Sequence, residues 1–298
     1  MRTRFAPSPT GPLHLGHAYS AILAHDMART AGGEFLLRIE DIDQSRARPE
    51  WEEQIYDDLR WLGLSWDGPV MRQSERMEAY RATLQRLWDR QWLYVCTCNR
   101  RDILEAASAP QEGITYGPDG VVYPGTCRPK WRPDDAPMPD NSTLRFIMNG
   151  WVRRDSRFEH RIVGPNGGKD FAHFVETGHA PDGQTGRIEF DVHDLPHSVG
   201  DVVLARKDIG TSYHLSVVLD DAAQDITHVV RGEDLFEATK IHVVLQRLLG
   251  LPTPVYHHHR LIRDEHGKRL AKRNDARAIR TFRDEGASPQ DIRRMVGL

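Results

Sequence analysis

Cysteine is scarce in this sequence, with only three residues, and all of them lie between positions 96 and 127. So small and odd a number excludes a disulfide framework. No apolar run is long enough to span a bilayer, and Met1 leads directly into a proline-rich motif without a secretory hydrophobic segment. The formal net charge of −3 gives no general excess of basic residues, so a nucleic-acid contact would need a local patch. We therefore expect a globular, cytoplasmic protein without a membrane partner.

The stretch from Arg4 to His17 contains three prolines, then two histidines three residues apart with Gly16 between them, and an apolar-periodic segment follows over 18–31. Because proline disfavours a helix, the pattern predicts a strand end, a tight turn and a helix start. A helix start presents N–H groups and the positive end of its dipole, which suits phosphates. His14 and His17 could then donate hydrogen bonds to phosphate oxygens. Taken singly, each histidine is more often a structural surface residue.

A short apolar strand is predicted over 34–39, after a helix that ends at two glycines, and Glu40 follows this strand. Strand, turn, helix and strand in this order predict a parallel α/β sheet, whose ligands bind at the carboxyl ends of the strands. Glu40 would then lie at the site, although a solvated turn is an equally good interpretation. Asp41 and Asp43 are expected to be structural.

A second strand is predicted over 226–230, and it ends at Arg231. An arginine at a carboxyl edge could form a bidentate pair with a ligand carboxylate, which lysine cannot imitate. The alternative is an internal ion pair with Glu233 or Asp234.

The three cysteines form a C-x-C pair, Cys96 and Cys98, and a single thiol, Cys127, 29 residues later. The pattern alone is weak, because buried unpaired cysteines are common. Zinc requires a fourth ligand, and no histidine lies within this segment. The remaining candidates are Asp102, Glu112, Tyr116, Asp119 and Tyr123.

In combination, these motifs resemble the catalytic domain of class I aminoacyl-tRNA synthetases. Pro-Ser-Pro-Thr-Gly-Pro-Leu-His-Leu-Gly-His is similar to the HIGH signature, and the Arg-Phe-Ala before it is typical of the glutamyl and glutaminyl group. The segment from Ser212 through Arg231 to Asp234 is similar to the second half of glutamyl catalytic domains. Residues 269–273, Arg-Leu-Ala-Lys-Arg, take the place of the KMSKS loop, keeping one lysine, Lys272, but neither serine nor the first lysine.

The resemblance implies an α/β fold: a Rossmann-type parallel-sheet nucleotide-binding domain with an inserted zinc-containing α+β subdomain and a short helical C-terminal region. The expected units are 1–95, the first half of the catalytic domain; 96–200, the insert, which would contact a tRNA stem; 201–262, the second half; and 263–298, the KMSKS-like loop and C-terminal helices. No anticodon-binding domain is expected.

The resemblance also implies roles for individual residues. The catalytic residues would be His14, His17 and Lys272, which together with Gly16 would bind ATP. Glutamate would be held by Arg4, Phe5, Ala6, Pro7, Ser8, Glu40, Tyr213 and Arg231, with Glu40 beside the ammonium group and Arg231 at the side-chain carboxylate. One structural Zn²⁺ would be bound by Cys96, Cys98, Tyr123 and Cys127. The alternative is that Tyr123 only packs and water is the fourth ligand.

The branch of the family that these features match is the truncated paralogue of glutamyl-tRNA synthetase. It implies activation of L-glutamate by ATP, with Mg²⁺, and transfer of the glutamyl group to queuosine at the wobble position of tRNA(Asp), by a monomeric enzyme. Three alternatives stay open: a minimal glutamyl-tRNA synthetase that charges the 3′ end, a nucleotidylyltransferase of the wider superfamily, and an inactive tRNA-binding paralogue.

Overall fold

The computed structural model describes residues 1–108, 113–128, 136–148, 171–263 and 277–298. The first part of the chain alternates strands and helices. Its elements are β1 (Arg2–Phe5), α1 (Leu15–Thr30), β2 (Glu34–Ile39), α2 (Pro49–Trp61), β3 (Met71–Arg72) and α3 (Met77–Asp89). The strands pair in the order β1-β2-β3 and both pairs are parallel. This part of the fold agrees with the predicted parallel α/β arrangement.

A small antiparallel region follows. Its elements are β4 (Leu93–Cys96), α4 (Arg100–Ser108), β5 (Tyr116–Gly117), β6 (Gly120–Val121) and β7 (Thr143–Phe146). β5 and β6 form a hairpin, and β7 lies between β4 and the later strand β10 (Val203–Ala205), antiparallel to both. This region contains all three cysteines and therefore carries the candidate metal site.

The second half of the chain forms a four-stranded sheet and the remaining helices. Its elements are β8 (Phe171–Glu176), β9 (Gly186–Asp191), α5 (Leu195–Ser198), α6 (Tyr213–Ala223), β11 (His228–Gly232), α7 (Ala238–Leu249), β12 (Val255–His259), α8 (Ile279–Asp284) and α9 (Pro289–Val296). The strand order is β11-β12-β8-β9, and the β9 edge is antiparallel, so this sheet is mixed and not wholly parallel. β8 lies within the stretch predicted as the insert, yet it pairs with β12.

The parallel β1-β2-β3 sheet meets the mixed sheet where β1 lies beside β11. The Thr227 N–H donates to the carbonyl oxygen of Arg2 at 3.0 Å. The apolar side of α1 packs on β2 and α2, where residues such as Ile22, Phe35 and Leu59 are fully buried. The carboxyl ends of β1, β2 and β11 therefore converge on one edge, where ligands bind in α/β folds.

Two helix starts differ from the sequence predictions. The first helix begins three residues earlier than predicted, because His14 itself caps it. The sequence also predicts a helix over 74–91 with Ser74 as its N-cap. That start is wrong, since α3 begins at Met77 after a short 3₁₀ helix. Ser74 instead donates its backbone N–H and its hydroxyl to the Asp41 carboxylate, at 2.8 and 2.6 Å. Asp41 thus has the structural role expected of it.

No helix in the described part of the chain is long and apolar enough to cross a membrane.

One buried carboxylate on α2 is unfavourable for stability. Asp58 is fully buried, and neither of its oxygens has a well-formed hydrogen bond within the described ranges. Burial, together with the neighbouring Asp57 charge, raises the pKa of Asp58 from 3.8 to about 6. The charged form is therefore disfavoured in the folded state, and the resulting loss of stability appears as the pH rises from about 4 through 6.

We expect Asp58→Asn to raise the free energy of unfolding at pH 7 by about 1 to 3 kcal/mol, because it removes this buried charge. The gain should shrink as the pH falls towards 4 and vanish below it, as Asp58 becomes protonated in both states. Urea denaturation at pH 4.5 and pH 7 measures it. Glu53→Gln is the control, since Glu53 is an exposed carboxylate of the same helix. A gain equal at both pH values would contradict the explanation.

Candidate active site

A cleft of about 420 Å³ opens at the edge where β1, β2 and β11 end. It is lined by every described residue that the sequence assigned to glutamate or ATP. These are Arg4, Phe5, Ala6, Pro7, Ser8, His14, Gly16, His17, Glu40, Tyr213 and Arg231. Lys272 lies outside the described residues. Arg4 and Arg231, 227 positions apart in the sequence, thus share one site.

The proline-rich turn after β1 is hydrogen-bonded to the segment between β2 and α2. The Glu40 N–H donates to the Pro7 carbonyl oxygen, and the Arg48 N–H donates to that of Pro9, both at 3.0 Å. Because the prolines prevent a helix here, these carbonyl groups accept hydrogen bonds from the neighbouring segment and not from a helical turn of their own. The turn is therefore held as one wall of the cleft.

The two histidines of the motif cap the start of α1 reciprocally. Nδ1 of His14 accepts the Gly16 N–H, and Nδ1 of His17 accepts the His14 N–H, both at 3.1 Å. Since Nδ1 is the acceptor in each ring, the neutral rings carry their proton on Nε2. The ring centroids are 3.8 Å apart. Both Nε2–H donors therefore belong to one cluster at a helix N-terminus, an arrangement suited to phosphate oxygens.

Gly16 makes room for the His14 ring. A Cβ at position 16 would lie 3.0 Å from Cε1 and 3.2 Å from Nδ1 of His14. The space on the Cβ side of Gly16 is thus occupied by the His14 imidazole.

We expect Gly16→Ala to displace this ring. The catalytic role that the resemblance implies for His14 then predicts an about tenfold lower rate of ATP-dependent activation, since misplacing a catalytic group by about 1 Å can cost more than that. Thermal stability should not fall, because alanine favours the first turn of a helix. Pyrophosphate exchange and the melting temperature measure the two effects. A parallel loss of both would mean that the variant is simply misfolded.

A buried ionic network lies beneath Arg4 and Glu40, two of the cleft residues that the resemblance assigns to glutamate. The Asp221 carboxylate accepts from Nε of Arg4 at 2.9 Å and from Nη1 of Arg38 at 2.8 Å. Arg38 has no exposed surface and also contacts Glu40 at 3.3 Å. Burial raises the pKa of Glu40, although Arg38 and Arg4 oppose this. For Asp221 the two arginines outweigh burial and lower the pKa. The network fixes Arg4 and Glu40 at the cleft.

Arg231, at the end of β11, is buried among neutral partners. Nη2 donates to Thr239 Oγ1 at 2.6 Å and to the Leu235 carbonyl oxygen at 3.3 Å. Nη1 contacts His242 Nδ1 at 3.0 Å, and Nε contacts His258 Nε2 at 3.2 Å. Four of its five N–H groups are thus directed to the protein, and within the described residues one N–H, on Nη1, remains for a ligand. The guanidinium as placed could give a ligand one hydrogen bond, not the expected bidentate pair.

The sequence analysis missed several residues of this site. Thr239, His242 and His258 contact Arg231, and His259 contacts Ser20 Oγ at 2.6 Å. The sequence shows three consecutive histidines at 257–259, which lie on β12, but their pattern indicates only a weak metal candidate. Alternation along the strand explains why its members differ in their partners.

The predicted metal ligands converge. The Sγ atoms of Cys96, Cys98 and Cys127 all lie within 4.8 Å of one another. The Tyr123 hydroxyl lies 3.5 Å from both Cys96 Sγ and Cys98 Sγ. The guanidinium carbon of Arg145 lies 3.9 Å from the centre of the Tyr123 ring. Three thiols and one phenol around a common point form a donor set that fits a tetrahedral zinc ion.

The protonation of this cluster is perturbed in both directions. Burial raises the pKa of Cys98, and burial and hydrogen bonds to the three thiols raise that of Tyr123. Burial would also raise the pKa of Cys127, but hydrogen bonds, first that of Tyr123, lower it to about 6. Ionisation is therefore favoured at Cys127 and disfavoured at Cys98, and a thiolate is the form that binds a metal.

The fold and the cleft are those of a nucleotide-binding synthetase domain. Residues 1–119 and 175–298 match the family model described as tRNA synthetases class I (E and Q), catalytic domain. The chain therefore belongs to this family. The unmatched part, 120–174, contains Tyr123 and Cys127, so two of the four predicted metal ligands lie outside the matched segments.

Within the family, the chain is similar to the group named glutamyl-Q tRNA(Asp) synthetase, which confirms the branch inferred from the motifs. It is 62% identical over 298 residues to that protein of Rhodobacter capsulatus, covering all of both chains. It is 41% identical to that of Symbiobacterium thermophilum, over 97% of this chain and 83% of the relative.

A solved structure of a full ligase has a related fold. The glutamate tRNA ligase from Elizabethkingia meningosepticum, in complex with its amino acid, superposes with a TM-score of 0.73 at 26% identity. The match covers 100% of this chain but 60% of that ligase.

Proposed function

We propose that the protein activates L-glutamate with ATP and transfers the glutamyl group to queuosine at the wobble position of tRNA(Asp). The observation that carries the proposal is the buried, cationic Arg231 in a cleft that also presents Glu40 and the paired histidines of α1. A cation and a carboxylate in one cleft complement the side-chain carboxylate and the ammonium group of glutamate. The names of the relatives that cover the whole chain support the same reaction.

In the activation step, an oxygen of the glutamate α-carboxylate attacks the α-phosphorus of ATP. The new O–P bond forms as the bond to pyrophosphate breaks, and pyrophosphate leaves with the electron pair. The Nε2–H groups of His14 and His17 donate to phosphate oxygens as their charge grows. Mg²⁺ bound with ATP supplies further charge neutralisation. By resemblance, Lys272 contacts the triphosphate.

The substrate is held by residues of the opposite wall. Arg231 would donate to the side-chain carboxylate, Glu40 would accept from the ammonium group, and Tyr213 would close the pocket between them. Arg4, Ser8 and the backbone of 5–7 would complete the wall. The enzyme would act as a cytoplasmic monomer.

The test is transfer of radiolabelled glutamate to tRNA from queuosine-replete and queuosine-deficient cells, with periodate-treated tRNA alongside. Queuosine oxidation must be checked separately, because its diol is also sensitive to periodate. Label confined to queuosine-containing tRNA(Asp) supports the proposal. Label on tRNA(Glu) irrespective of queuosine would favour a minimal charging enzyme. Failure of glutamate-dependent ATP–pyrophosphate exchange would overturn glutamate activation itself.

We also propose that Cys96, Cys98, Tyr123 and Cys127 bind one structural Zn²⁺. Zinc would favour ionisation of the phenol, whose proton otherwise resists removal. The positive charge of Arg145 above the ring would stabilise the resulting phenolate. The ion would connect β4 with the segment after β6. It would take no part in the chemical reaction.

Tyr123→Phe is expected to weaken zinc binding by about tenfold to a hundredfold or more. Loss of a residue that only supports a metal ligand already has an effect of this size. Zinc content after dialysis against a graded chelator, and the melting temperature, are the measurements. Tyr116→Phe is the matched control, because Tyr116 is an exposed tyrosine of the same hairpin. Equal zinc retention in both variants would support water as the fourth ligand instead.

A further inference from the structure

Arg231 connects two chains of hydrogen bonds that end at carboxylates. In the first, His242 Nδ1 contacts Arg231 at 3.0 Å, His242 Nε2 contacts His214 Nδ1 at 3.1 Å, and His214 Nε2 contacts the Asp119 carboxylate at 2.9 Å. Asp119 belongs to the β5–β6 hairpin of the cysteine-containing region. The glutamate side of the cleft and the candidate zinc region are thus in direct contact.

The second chain is shorter and completely buried. His258 Nε2 contacts Nε of Arg231 at 3.2 Å, and His258 Nδ1 is hydrogen-bonded to the Glu176 carboxylate. Neither His258 nor Glu176 has exposed side-chain surface. The two chains approach the guanidinium through different nitrogens, Nη1 and Nε.

The direction of every hydrogen bond in these chains follows from the donors. A guanidinium can only donate, so His242 Nδ1 and His258 Nε2 must be acceptors. His242 then carries its proton on Nε2 and donates to His214 Nδ1, which leaves His214 to donate from Nε2 to Asp119. His258 correspondingly carries its proton on Nδ1 and donates to Glu176. All three rings are neutral in this arrangement.

The surroundings favour the neutral rings. Burial and the charge of Arg231 lower the pKa of His242 well below its usual value. Burial also lowers the pKa of His258, although Glu176 opposes this.

We propose that Asp119, His214 and His242 on one side, and Glu176 and His258 on the other, are positioning residues for Arg231. Each terminal carboxylate fixes the histidine tautomers of its hydrogen-bond chain, so that a histidine lone pair faces the Arg231 guanidinium. The remaining N–H of Arg231 is then held for the substrate. No carboxylate touches Arg231 within the described residues, so its full charge stays available to an anionic side chain. This inference rests on the proposed binding of glutamate at Arg231.

The first experiment measures the tautomers directly, without reference to activity. Histidine ¹⁵N–¹H correlation spectra at pH 7 should show His214 and His242 protonated on Nε2 and His258 on Nδ1. Single His→Gln variants assign the signals. A cationic His242, or a proton on its Nδ1, would overturn the proposal. Because this result needs no substrate, it is separate from failure of the proposed reaction.

The second experiment tests the effect on substrate binding. Asp119 is half exposed, so Asp119→Ala should fold normally. It should raise the KM for glutamate about three- to tenfold, the loss expected for one ordinary hydrogen bond, with kcat and the KM for ATP nearly unchanged. Asp119→Asn keeps an acceptor for His214 and should recover most of the loss.

Glu105→Ala is the matched control, because Glu105 is an exposed carboxylate of the same region that pairs with Arg101 on α4. The KM for glutamate should not change in this variant. In the buried part of this chain of hydrogen bonds, the amide of His242→Gln can accept and donate hydrogen bonds as the imidazole does. The ring of His242→Phe cannot. Equal KM values in Asp119→Ala and Glu105→Ala, or equal effects on glutamate and ATP, would overturn the positioning role even if His242→Phe does not fold.

Discussion

Replacing Arg231 with glutamine is expected to lower kcat/KM for glutamate by on the order of a hundredfold or more, since loss of one partner of a buried charge pair costs about 2 to 5 kcal/mol. The loss should appear mainly in the KM for glutamate, because the contact exists in both the ground state and the transition state. The KM for ATP should change little. Glutamate-dependent ATP–pyrophosphate exchange over a range of both substrates measures all three quantities.

Arg231→Lys keeps the charge and provides the more informative variant. An ammonium group has three donors around one nitrogen, so it cannot satisfy His258, His242 and Thr239 at the positions of the guanidinium nitrogens. We therefore expect a defect nearly as large as that of Arg231→Gln. Arg187→Gln, on the exposed strand β9, is the control. Near-normal activity of Arg231→Lys would mean that charge alone is needed there.

Asp221→Ala is expected to lower the free energy of unfolding by about 3 to 5 kcal/mol, because it leaves the buried guanidinium groups of Arg4 and Arg38 without their shared carboxylate. The remaining folded protein should bind glutamate weakly, since Arg4 and Glu40 lose their support. Urea denaturation at pH 7 gives the stability, and glutamate titration at low temperature gives the affinity.

Asp225→Asn is the control for this substitution, because asparagine tolerates the left-handed backbone at this position (φ 51°). Asp225 follows the same helix, but its ion pair with Arg2 is exposed, so the change should be within about 1 kcal/mol. The pH dependence gives an independent check. Because the pKa of Asp221 is lowered in the folded state, its contribution is present above the ordinary value near 4 and is lost as the pH falls through the folded pKa. Equal losses in both variants at pH 7 would contradict the central role of Asp221.

The elements that local patterns specify were predictable from the sequence. Strand β2 has the predicted bounds because its apolar run is interrupted by glycine on one side and by acidic residues on the other. The cleft followed from the position of Glu40 directly after β2 and of Arg231 near the end of β11, since parallel strands end at one edge. The convergence of the cysteines and Tyr123 required the resemblance, because spacing alone left five candidates for the fourth ligand.

The parts that were not predictable depend on contacts between distant residues. Ser74 has the properties of a helix cap, but its bonds to Asp41, 33 residues away, override that preference. The partners of Arg231 were equally hidden, since His258 lies 27 residues after Arg231 and Glu176 lies 82 residues before His258. Single-sequence patterns contain no information on such pairs.

The place of β1 between β2 and β11 also constrains how the chain folds during synthesis. Arg4 is translated 217 residues before its partner Asp221, and Arg2 is translated 225 residues before Thr227. On the ribosome, β1 and β2 can pair early, but the cleft and its ionic network cannot form until α6 and β11 have emerged. Such long-range closure is slow and exposes apolar surface in the meantime. We therefore expect nascent chains that stop before α6 to depend on chaperones, whereas the completed chain does not.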